Sequence, residues 1–252
     1  MSRNFTTLAF AAITAMAATG AQAYTTFNGV DGNNAETVLA VTPNATAAEN
    51  TFKANLVGTG TETFETQATG AIAPLTLDFG AAAGMATLSG GGGSVQTNAV
   101  GATNGAGRYS VPGGTKFWNV TAGGTAGAFT VTFSKAIAAF GFYGIDIGDF
   151  QGTVSLEFLD AANNILGTQA VATASAAMAN ASVLYFGALA DSNAELFSAV
   201  RFVTSGGIGD IFAFDSFTIG TQQQVSRTPE PGSLALVALG MLGLGLAKRR
   251  RG

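Results

Sequence analysis

Apolar residues at every second position narrow the folds open to this chain more than any other feature. Phe129, Val131 and Phe133 alternate with Thr130, Thr132 and Ser134, and Val154, Leu156 and Phe158 alternate with Thr153, Ser155 and Glu157. Successive side chains of a β-strand point to opposite faces, so each run gives a strand with one apolar face. Phe140 and Phe142 fall on one side of residues 139–145, which reads as another half-buried strand. Asp160-Ala161-Ala162-Asn163-Asn164 supplies a turn, so 154–170 reads as a hairpin. Short strands follow at 182–186 and 199–203. In the last run, 211–219, Phe212 and Phe214 are in phase while Phe217 and Ile219 are out of phase with them, and the shift at Asp215-Ser216 predicts a β-bulge. Strands at this spacing, without a helical period outside the two ends, predict an all-β fold, an antiparallel β-sandwich of jelly-roll type over residues 24–220.

The N-terminal half is punctuated by glycine. Gly58 to Gly60, Gly80 to Gly84, Gly90 to Gly93 and Gly101 to Gly107 mark turns and loops, with short strands at 61–67, 75–79 and 85–88. The run Gly90-Gly91-Gly92-Gly93 lacks the Gly-Lys-Ser/Thr ending and the following helix of a phosphate loop. Residues 221–228, with three glutamines, read as a flexible polar linker.

Both ends differ from this body. Arg3, an apolar stretch from Leu8 to Ala18 and the small-residue site Ala21-Gln22-Ala23 have the layout of a secretory signal peptide over residues 1–23, with signal peptidase leaving Tyr24 as the mature N-terminus. At the other end, residues 229–252 hold Pro229-Glu230-Pro231, a charge-free segment from Leu234 to Ala247, and Lys248, Arg249, Arg250 and Arg251. As a helix the apolar segment spans about 21 Å, short of the roughly 30 Å hydrocarbon core, so it inserts marginally and transiently. The four cations resist translocation and stay on the cytoplasmic side. The two prolines keep the motif extended and accessible just outside the membrane. By length and charge alone, an ordinary membrane anchor has equal standing.

The order of Pro229-Glu230-Pro231-Gly232-Ser233-Leu234-Ala235-Leu236, a Gly/Leu-rich segment and a basic end resembles the PEP-CTERM sorting domain of Gram-negative bacteria. Thr228 stands where that family usually has an aliphatic residue. The resemblance implies recognition by an exosortase, a polytopic membrane transpeptidase, with removal of the tail and display of the body at the cell surface or in the exopolysaccharide matrix. The body more loosely resembles the β-sandwich cargo domains found ahead of such tails, through Thr61-Glu62-Thr63-Phe64-Glu65, 140–150 and 212–219.

Composition sets the remaining limits. Without Arg3 and the four C-terminal cations the 11 Lys and Arg fall to 6, and without Glu230 the 15 Asp and Glu fall to 14, so residues 24–228 carry a net charge of −8. An acidic body of this kind does not suit nucleic acid or anionic membrane surfaces. The chain has no cysteine and no histidine, which excludes disulfides, Ser-His-Asp and Cys-His nucleophile systems and zinc sites of the usual ligands.

Acids and a few aromatics are the remaining candidates for chemistry. Jelly-roll carbohydrate-binding modules commonly hold a structural calcium between an acid near the first strand and one on the last. Glu62 or Glu65 with Asp215 could take those parts, the alternative being acids on a solvated face. Asp146 and Asp149 around Gly148 suit either a cation loop or turn capping. A paired-carboxylate glycosidase would need two such acids at a fixed separation. Trp118 beside Phe117, with Tyr143 and Tyr185, are the rings able to stack on a sugar, against the alternative that they are core. The leading expectation is therefore a non-enzymatic surface or matrix structural protein. A carbohydrate-binding module that takes extracellular polysaccharide is second, and an extracellular hydrolase third.

Overall fold

The computed structural model describes residues 24–121, 127–206 and 209–226. The signal region with Ala21 and Ala23, and the tail with Pro229, Glu230, Pro231, Lys248, Arg249, Arg250 and Arg251, lie outside the described residues. Among the described residues no helix is long and apolar enough to cross a membrane.

Two antiparallel sheets pack face to face. The seven-stranded sheet runs β1 (Tyr24–Asp31), β11 (Val183–Ala190), β8 (Ala139–Ile145), β13 (Ile211–Gly220), β6 (Lys116–Thr121) and β5 (Ser94–Thr97), with β2 (Gly60–Glu62) also on β13. The six-stranded sheet runs β10 (Ile165–Val171), β9 (Gly152–Leu159), β12 (Phe197–Gly206), β7 (Phe129–Ile137), β4 (Met85–Gly90) and β3 (Leu75–Asp78). The inward residues of the alternating runs meet between the sheets. Phe129 stacks on Phe202 with ring centroids 4.1 Å apart, and Phe142 and Phe214 meet Phe202 edge-on at 4.9 and 5.1 Å. Offset and edge-on pairs of this kind add roughly 0.5–1.5 kcal/mol each beyond their area burial, a contribution this disulfide-free domain has in place of cross-links.

The hairpin of β9 and β10 turns at Asp160, whose carboxylate accepts the Ala162 and Asn164 amides. The phase shift in the last strand is a bulge: β13 changes register against β8 between Asp215 and Thr218, and Ser216 takes φ 51°. The bulge also marks a change of neighbour, since β13 pairs with β6 through Phe214 and with β2 only from Phe217 onward.

Three features differ from the expectations. First, β8 is buried on both faces, not half-buried, because a helix, α1 (Pro43–Lys53), covers the outer face of β1, β11 and β8. Second, that helix was not anticipated. Its buried stripe is Ala45, Ala48, Glu49 and Phe52, and its first turn is capped from β1, where Asp31 accepts the Asn44 and Ala45 amides at 3.1 and 2.8 Å. Gly141 and Gly187, paired across β8 and β11, let it approach: a Cβ on Gly187 would lie 2.7 Å from the Phe52 ring. Third, the polar segment after β13 is packed and not a free linker through Ser226. Thr221 and Gln224 form a capping box, Gln224 is buried, and Val225 bridges to Leu56. Beyond these, β1, β5 and β6 add strands where none was expected, and the run at 61–67 pairs only over β2.

Candidate functional site

Residues 98–115, between β5 and β6, cross the outer face of the seven-stranded sheet as a strap, and the acids singled out in the sequence hold it there. The bulge makes this possible. It turns Asp215 and Ser216 outward at the point where β13 exchanges one neighbour for the other, leaving main-chain donors of the strap to fill the gap. Asp215 accepts Ser110 Oγ at 2.6 Å and the Val111 amide at 2.9 Å, and its other oxygen accepts the Ser216 amide at 2.6 Å. Ser216 Oγ donates to the Val111 carbonyl. Asp215 is 1% exposed, and burial pushes its carboxyl up to about 8, against the pull of these donors.

Glu65 holds the far end of the strap. It accepts the Thr115 and Lys116 amides and the Thr115 hydroxyl, each at 2.7 Å. Partial burial works against ionisation, but these donors and the Lys116 ammonium prevail and hold the carboxyl below its ordinary range. Lys116 Nζ in turn donates to the Glu65 and Gln67 carbonyls. Glu62 closes the neighbouring loop, accepting the Phe64 amide at 2.6 Å and the Asp78 amide at 3.1 Å.

Glu62, Glu65 and Asp215 therefore each accept two or three N–H or O–H donors. Among the described residues no group of three or more acids is placed to hold a metal ion. The alternative of acids on a solvated face does not describe Glu62 and Asp215, which are buried.

Asp146 and Asp149 have different partners, Asp149 lying beside Asp210. Asp146, with φ 64°, accepts the Ala181 amide and the Arg108 guanidinium at 3.0 and 3.2 Å, which fastens a third point of the strap. Burial raises Asp146 to about 6. Burial also raises Asp210, with the nearby Asp149 charge adding to the effect.

The stacking rings are corrected as well. Trp118 and Phe117 are fully buried on opposite faces of β6, Trp118 in the intersheet core and Phe117 under Tyr109 and Val111 of the strap. Tyr143 is buried beneath α1, its hydroxyl donating to Glu49 at 2.7 Å, and Tyr185 lies against it at 5.0 Å. Burial raises both phenols far above their ordinary range. Neither face offers these rings to a ligand. A cleft of about 270 Å³ that the sequence did not announce lies between the strap and residues 38–42, floored by Tyr109 and Val111 with Val41 and Val100 at its rim.

The decisive comparison concerns the tail. Residues 227–251 match the family model of the PEP-CTERM protein-sorting motif. A PEP-CTERM motif marks an exported, membrane-anchored precursor in Gram-negative bacteria for processing by an exosortase, a membrane transpeptidase. Among curated proteins no sequence matches the chain. Among solved structures, the described fold is similar to the K2 cleaved adhesin domain of Lys-gingipain, at 14% identity and TM-score 0.35 over 65% of this chain and 98% of that one. It is similar to the K1 cleaved adhesin domain of Lys-gingipain from Porphyromonas gingivalis W83, at 16% and 0.34 over 66% and 99%. It is also similar to the arabinose-bound MgGH51 α-L-arabinofuranosidase, at 13% and 0.39 over 64% and 26%. With TM-scores this low, none of these likenesses bears on what the chain does.

Proposed function

We propose that the chain is an exported structural protein of the cell surface or extracellular matrix, a sandwich body delivered by its PEP-CTERM tail. The match of residues 227–251 to the sorting motif carries this reading. The body supports it by what its polar groups do: Glu62, Glu65, Asp146 and Asp215 all serve the main chain or the strap. The PEP-CTERM motif favours a non-enzymatic role, and the acids suited to a paired-carboxylate hydrolase are engaged elsewhere. The carbohydrate-binding alternative loses Trp118 and Tyr143 as its platforms.

Signal peptidase cleavage before Tyr24 belongs to the same proposal. In its support, Tyr24 is tied into the sandwich: its ring stacks on Phe158 at 4.2 Å and its hydroxyl donates to the Glu195 carbonyl.

Intact-mass measurement of the protein from its native envelope, with and without the exosortase, tests the proposal. The expected wild-type species starts at Tyr24 and lacks Lys248–Arg251, whereas the enzyme-free strain keeps the tail. A wild-type species that retains those four cations refutes the sorting step.

A further inference from the structure

The chain leaves the sandwich fastened. After β13, the Ser226 amide donates to the Asn55 carbonyl at 2.8 Å and the Val57 amide donates to the Gln224 carbonyl at 2.7 Å. Gln224 Nε2 donates to the Gly58 carbonyl, and its Oε1 accepts the Thr221 amide and hydroxyl at 2.9 and 3.0 Å. Leu56 and Val225 form an antiparallel bridge, with Leu56 packed on the cluster beneath α1 and Val225 on the intersheet core. A polar, glutamine-rich segment is thus held by main-chain bonds, a buried amide and two apolar side chains.

The position of this fastening in the sequence matters because so little chain follows it before the sorting motif. Only Arg227 and Thr228 separate Ser226 from Pro229. Three Cα steps, fully extended, reach about 11 Å. A single helix with its side chains is about 10–12 Å across, so one wall of an enzyme cleft fills the whole space between sandwich and motif. Peeling residues 222–226 from Asn55–Gly58 adds five residues, about 17 Å of reach.

We propose that this fastening gates processing: the exosortase engages Pro229-Glu230-Pro231 when residues 222–226 detach from the turn at Asn55–Gly58. The inference rests on the sorting reading above. It makes the body a control on its own tail, with the fastened state protected and the detached state competent.

Pulse-chase of the full-length protein in its native host, following tail removal by intact mass, tests it with two variants. A six-residue Gly/Ser insertion between Ser226 and Arg227 leaves the fastening intact but adds about 20 Å of reach. Gln224→Ala removes the Gly58 contact and the capping box. The insertion supplies the reach without detachment and Gln224→Ala favours detachment by removing the Gly58 and Thr221 bonds, so each speeds tail removal by at least about fivefold, and the two together are no faster than the insertion alone. An insertion variant processed at the wild-type rate, or more slowly because the enzyme uses the fastened face as a dock, overturns the gate while normal wild-type processing leaves the sorting reading standing. A wild-type chain that keeps its tail in the presence of the exosortase removes both.

Discussion

Asp215 gives the sandwich a stability that falls as pH rises through neutrality. Its carboxyl is 1% exposed and raised by burial to about 8, whereas in the unfolded chain it titrates near its ordinary value of about 3.9. Between these values the folded state holds a proton that the unfolded state has released. The contribution is therefore complete below about pH 4 and is lost as pH climbs to about 8, at about 1.4 kcal/mol per pH unit. Across pH 6–7.5 the loss is about 2 kcal/mol, a large fraction of a typical domain stability of 5–15 kcal/mol. The chain has no histidine, so none of the side chains that ordinarily titrate in this window obscures the effect. Asp146, raised to about 6, adds to the slope only at its lower end.

Trp118, the single tryptophan and fully buried, reports unfolding by fluorescence. With a urea dependence of about 2 kcal/mol per molar, the midpoint should fall by about 1 M between pH 6 and 7.5. Asp215→Asn cannot ionise, so its midpoint should be flat over that range. It starts lower, because an amide cannot accept the Ser216 N–H on its nitrogen side and an unmet buried partner costs about 1–3 kcal/mol, and the two curves converge above pH 8. A wild-type midpoint that is level or rising from pH 6 to 8, or an Asn variant that falls as steeply, refutes the reasoning.

Three further outcomes test the description. Asp31→Ala removes the acceptor for the Asn44 and Ala45 amides and should lower stability by about 1–2 kcal/mol, read as a urea midpoint, with helical circular dichroism lost before strand signal. Gly187→Ala places a methyl against Phe52 and should cost about 1–3 kcal/mol, most of it restored by Phe52→Leu; an unrestored loss would show that the helix contact is not the cause. Chelator should leave the thermal midpoint unchanged, because amide and hydroxyl donors already hold Glu62, Glu65 and Asp215, and a drop of several degrees would establish a bound cation.

β7 and β9 were legible because each has one face on the core and one partly open to water, which writes alternation into residues 129–134 and 153–158. The bulge was legible for a related reason: Phe214 and Phe217 both had to reach the core from one strand. β6 was not legible, because Phe117 and Trp118 are adjacent apolar residues covered on both sides, which erases the period-2 signal. α1 was hidden by its small stripe, in which Ala45, Ala48 and Glu49 carry little hydrophobic contrast. The partners of the acids were invisible: Ser110 reaches Asp215 from 105 positions away in the chain, and a carboxylate bound to amides has no local spacing to betray it. Trp118 and Tyr143 were left open between ligand platform and core, and the facing sheet over Trp118 and the helix over Tyr143 make them core.

The placement of β13 sets how the body would carry a mechanical load. A pull on the C-terminus first unzips Ser226 and Val225 from Asn55 and Leu56, a few bonds in series. It then acts along β13, which has β8 on one side and β6 and then β2 on the other. Force along that strand shears its ladders together instead of breaking them one at a time. A tether through this end yields a little at the junction and then holds.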